Sequence, residues 1–170
     1  MSFQQLVRPD QAWGIVGEIR RDGPTRANGY TIDPAATAAN CVVGRVFTLD
    51  NTTNLVKPGG ALSDTVKFAG ILANPKVYAS VGGATGPLSP TLNVLPGSDG
   101  EFVDMGFVAV LSTTVAADGN LLAYDNTTGV ISAYANTGAI PGTSTAIPNG
   151  TVYATAQANV PGLVMARLTN

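Results

Sequence analysis

The chain has no histidine, a single cysteine and one tryptophan, and aromatic residues fill only 6% of its positions. Without histidine, the commonest general base and the commonest metal ligand are both missing. Neither a Ser-His-Asp nor a Cys-His site can be assembled from within this chain. One cysteine allows no internal disulfide framework. Cys41 lies in the apolar run N-C-V-V-G and reads as a buried, inert thiol; a zinc site would have to lean on carboxylates. Charge is also sparse, at 12% of residues and a net −2, roughly half the usual charged share of a soluble domain. No Lys/Arg run exceeds Arg20-Arg21, so the basic face that nucleic acid requires is absent. No apolar run approaches the roughly 18 residues of a membrane helix. The opening M-S-F-Q-Q-L-V-R-P-D lacks the basic and then apolar plan of a signal peptide. The expectation is a protein made in a cytoplasm, with no nucleic-acid or membrane partner and no cofactor.

What is present is turn chemistry. Twenty glycines and eleven prolines, with abundant Thr, Asn and Ala, favour many short strands over long helices. The stretch from Val66 to Ser112 shows this best: apolar runs separated by Asn74-Pro75, Gly82-Gly83 and Gly86-Pro87. Strand signals begin at Val42–Leu49 and continue through Val66–Leu72, Lys76–Val81, Phe102-Val103 and Gly106–Ser112. Further ones cover Leu121–Tyr124, Val130–Tyr134, Thr151–Thr155 and Leu163–Leu168. Their spacing of about ten residues predicts an all-β fold, a small β-barrel or a two-sheet, jelly-roll-like sandwich. Residues 1–38 differ: they hold Arg8, Arg20, Arg21 and Arg26, the only Trp, and little periodicity. They are expected to form an extended, largely irregular N-terminal arm, leaving residues 39–170 as the β-rich domain.

Two segments echo each other. Phe47–Val56 and Leu122–Ile131 both read as strand, D-N-T-T-[NG] turn, strand, which predicts two similar hairpins. Asp33-Pro34 before A-A-T-A-A-N can cap a short helix or sit in an irregular loop. Gly82–Pro87 is glycine-rich, but no lysine follows and Pro87 spoils a helix start, so it reads as a loop. Asp99, Glu101 and Asp104 cluster, as do Asp118 and Asp125. Without the loop spacing of a calcium site they read as solvated turns. No catalytic residue and no metal ligand can be named.

The order of segments carries more. The chain runs G-I-V-G-E-I-R-R-D-G-P, then V-V-G-R-V-F-T, F-A-G-I-L-A-N-P-K-V-Y-A (Phe68–Ala79) and G-P-L-S-P-T-L. After these come E-F-V-D-M-G-F-V-A-V-L, L-A-Y-D-N-T-T-G (Leu122–Gly129) and G-L-V-M-A-R-L-T. Together these resemble the structural cement, or decoration, proteins of tailed-phage heads. The resemblance implies a non-enzymatic, β-rich virion protein on the outer surface of the head. There it would bind where major capsid protein subunits meet, as a homodimer or homotrimer, and reinforce the expanded shell. It carries over no catalytic residues. Composition adds interface candidates: Phe3, Trp13 and Tyr30 as aromatic anchors, and Arg20, Arg21 and Arg26 as partners for capsid carboxylates. A receptor- or glycan-binding β module of a tail fibre would suit the same composition, and a carboxylate hydrolase is the remote third reading.

Overall fold

The computed structural model describes residues 14–20, 23–74, 93–156 and 160–169. Its architecture turns on one strand, β6 (Asp99–Val115), which is 17 residues long and belongs to two sheets at once. The numbering follows chain order: β1 Ile19–Arg20, β2 Arg26–Thr31, β3 Val46–Asp50, β4 Leu55–Pro58 and β5 Val66–Leu72 precede it. β7 Leu121–Asp125, β8 Ile131–Tyr134, β9 Ser144–Thr155 and β10 Pro161–Leu168 follow.

The C-terminal half of β6 starts a barrel. β10 pairs antiparallel with it from Gly106 to Val115, and the sheet continues through β9, β7 and β8. The parallel pairing of Ile131 in β8 with Ser112 brings the sheet back to β6 and closes a five-stranded barrel. β1 fills the closing edge, with Ile19 and Arg20 opposite Val108 and Phe107. The N-terminal half of β6 pairs with β2 and with β5, which leads on to β3 and β4. This second sheet also curls on itself: Ile32 bridges Val56, and the Asp33 amide donates to the Val56 carbonyl at 2.8 Å. The all-β expectation holds, in its barrel form, with extra strands.

Two cores explain the apolar doublets in the sequence. Val46, Ile71 and Val103 join the barrel core with Leu122, Tyr124 and Ile131. Their neighbours Phe47, Leu72 and Phe102 join a second core with Ile32, Cys41 and Val56. Consecutive strand residues face opposite sides, so β3, β5 and β6 form a wall buried on both faces and are written as V-F, I-L and F-V. Gly106 lies where β6 passes from one sheet to the other. It has φ +120°, and a Cβ there would meet Thr25 at 2.9 Å.

Two local readings come out differently, and a third is decided between its two alternatives. β3 begins at Val46 because Val43-Gly44 make a turn ahead of it. The Asp33 helix does not form: the Asp33 side chain and carbonyl accept the amides of Ala35 and Ala36 at 2.8 and 2.9 Å. Only a 3-10 turn, Ala38–Asn40, follows, as a stretch too short to nucleate an α-helix allows. Within residues 1–38, Arg26–Thr31 is strand β2, paired along β6 from Asp99 to Met105. Lys76–Val81 and Gly82–Pro87 lie outside the described residues.

Candidate functional site

Several groups with chemical potential are engaged in holding the structure. Cys41 is fully buried, burial pushes its thiol pKa up, and it points at the Thr37 carbonyl. Asp99 accepts a hydrogen bond from Thr31 at 2.6 Å. Asp104 accepts Asn28 and pairs with Arg26 at 2.8 Å. Asp50 and Asp125 each cap their own turn by accepting the amide two residues on; for Asp125 the Thr128 amide and hydroxyl add to this. These bonds hold both carboxylates below their ordinary pKa. Among the described residues, no three carboxylates or thiols are grouped to hold a metal.

What the surface offers is contact area. On the outer wall of the barrel, Leu111 and Val115 of β6 are 54% and 49% exposed, and across the strand pairing they meet Leu163 and Pro161 of β10. Val160, also half exposed, adjoins them. Along the same face of β6, the Phe107 ring meets Tyr153 edge-on, with centroids 4.8 Å apart. Arg20 of β1 and Arg167 of β10 are the strand partners on either side of Phe107. The result is an apolar strip with arginines at one end, the pattern of a protein-contact face rather than a cleft.

A second feature lies between the two sheets. The turn Asp125–Gly129 docks on β3: Val46 donates to Gly129 O at 2.9 Å, and Gly60 donates to Asn126 O at 2.7 Å. Arg45, just before β3, reaches into this junction, where its Nη1 donates to the Asn40 side chain at 3.0 Å and to Thr128 O at 3.3 Å. Both acceptors are neutral, and burial lowers the pKa of its guanidinium.

Of the six residues singled out from sequence, Phe3, Trp13 and Arg21 lie outside the described residues. Arg20 is exposed on β1 beside the apolar strip. Arg26 and Tyr30 share β2 and are engaged within the chain. Arg26 Nε is 2.9 Å from both Asp104 oxygens, and the Tyr30 ring packs on Phe102 at 6.0 Å. Sequence reasoning missed Leu111, Tyr153 and Arg45. The first had a signal: V-A-V-L is apolar on both faces of a strand, which asks what covers the outer one.

Comparison with known proteins identifies a family and a fold. The family model described as structural cement protein (E217 gp24/Pam3 gp6) matches residues 3–169. A search of curated proteins returns no match. Among solved structures, a chain from the capsid of Myoviridae phage XM1 superposes with a TM-score of 0.65 at 17% identity. The superposition covers 100% of this chain and 99% of that one, a likeness of fold.

Proposed function

The chain belongs to the structural cement protein family, and from that membership we propose that it binds the outer surface of a phage head, where major capsid protein subunits meet, and stabilises the expanded shell. The family match across nearly the whole chain carries this reading. The role is structural, and the reading is non-enzymatic. The exposed strip of Leu111, Val115 and Tyr153, with the partly buried Leu163, is the surface best suited to the contact, because burying apolar area is the main source of association energy in a protein with so few charges. Arg20, the strand partner of Phe107, extends it, and Phe3, Trp13 and Arg21 are further candidates for the contact. Assembly as a homodimer or homotrimer would turn modest contacts per subunit into avidity.

Co-sedimentation with unexpanded proheads and with expanded empty heads tests the reading. Saturable pelleting at a fixed ratio to capsid subunits, on expanded heads only, is the expected result. No pelleting on either form would remove the proposal and favour the tail-fibre module, to be pursued by glycan screening.

A further inference from the structure

Arg26 and Arg45 are placed in this fold under opposite terms. The Arg26 guanidinium is matched by a carboxylate side-on: Nε donates to Asp104 at 2.9 Å and Nη2 lies 2.8 Å from the same group. Arg45 is fixed by its other nitrogen. Nη1 holds the Asn40 and Thr128 oxygens, and Asn40 in turn donates to Thr127 O at 3.4 Å. Among the described residues no carboxylate pairs with it, and its Nε and Nη2 make no hydrogen bond. No fully buried side-chain nitrogen of the described residues is left without a partner, so these two nitrogens keep some exposure to solvent. The side chain is half-buried and pinned between the 3-10 turn and the Asp125–Gly129 turn. Its orientation is therefore set before any partner arrives, which removes much of the ordering cost of binding. The open Nε–Nη2 edge is the one through which Arg26 takes Asp104, and it matches a carboxylate in two parallel bonds.

We propose that Arg45 is a preset receptor for a carboxylate side chain of the capsid surface, bound side-on through Nε and Nη2. This rests on the head-binding reading above and names one contact of it. A cation already partly stripped of water gains more from a carboxylate than a fully solvated one does.

The test measures pelleting of the full-length protein on expanded empty heads, with the Tm of each free protein. The variants are Arg45→Gln, Arg45→Lys and, as a control, Val56→Ala, a fully buried position whose truncation lowers stability without changing the surface. Arg45→Gln is expected to bind about 10- to 100-fold more weakly, the range for one charge-assisted pair. Arg45→Lys, which keeps the charge and loses the fork, should fall between it and wild type, and Val56→Ala should bind as wild type does. Wild-type affinity in both Arg45 variants overturns the assignment while leaving head binding intact. Binding losses that simply follow Tm, in Val56→Ala as in the Arg45 variants, overturn it too, because Arg45 would then be structural only. Wild-type protein that does not pellet removes the head-binding reading and this contact with it.

Discussion

Asn54 and Gly129 close the twin D-N-T-T hairpins at the same position, both left-handed, with φ 57° and 71°. Their surroundings differ. Asn54 is exposed, whereas a Cβ at Gly129 would collide with the Val46 carbonyl and stand 3.0 Å from the Gly59 amide nitrogen. Gly129→Ala therefore combines backbone strain with a clash against backbone, about 3 kcal/mol or more. In a chain of this size that lowers Tm by about 6–12 °C in a thermal melt. Asn54→Gly, in open space, should stay within about 0.5 kcal/mol of wild type. Tyr124 gives a second measurable effect. It is fully buried, its hydroxyl donates to Gly60 O at 2.8 Å, and burial pushes its pKa up to about 12. Because the folded pKa is raised, this stability is fully present below the ordinary tyrosine value near 10. It is lost as pH rises from there through about 12. Tyr124→Phe should lower stability by about 1 kcal/mol at neutral pH and flatten the decline of Tm in that alkaline window.

The twin hairpins were legible because turn chemistry is local: an Asp that caps the next amides and an Asn or Gly that accepts positive φ need no distant partner. β2 was not legible, and the reason is physical. R-A-N-G-Y-T has a turn-like Asn-Gly in the middle and no apolar alternation. What makes it a strand is β6, sixty or more residues away: Asp104 takes Arg26 and Asn28, Asp99 takes Thr31, and Phe102 receives Tyr30. The closed barrel was likewise one of two readings until Ile131 was seen to meet Ser112. The exposed apolar strip was hardly legible at all, since a strand apolar on both faces reads the same whether its outer face is covered or bare. β6 itself gives the contrast that separates these cases. Phe102 is fully buried between Phe47 and Tyr30, so Phe102→Ala should cost about 3–5 kcal/mol and show as early unfolding in denaturant. Leu111→Ser, on the exposed strip, should leave the denaturation midpoint nearly unchanged and weaken head pelleting. Unchanged pelleting would move the contact off this wall.

A chain with net charge −2 and few cations has little with which to be drawn electrostatically to a head, so its attachment should depend on buried apolar area and a small number of fixed polar contacts. The position of β1 and β2 sets where the N-terminal segment can be removed cleanly. A cut reaching residue 30 would take away Ile19, Arg26 and Tyr30, and with them the pairing along β6, so weak binding would then report damage to the fold. Removing residues 2–13 leaves every described strand in place. That truncation should keep the wild-type Tm within a few degrees while pelleting less well on expanded heads, because Phe3 and Trp13 go with it. Truncated protein that pellets as wild type would assign the contact to the barrel wall and Arg45 alone. Salt separates the contributions further. Apolar burial is insensitive to ionic strength, and a half-buried ion pair is screened less than an exposed one. Raising salt from about 50 to 500 mM should therefore weaken wild-type binding less than about tenfold, with Arg45→Gln flatter still. A steep loss over that range would mean that exposed charges such as Arg20 and Arg167 carry the attachment, and the apolar strip would lose its place in the mechanism.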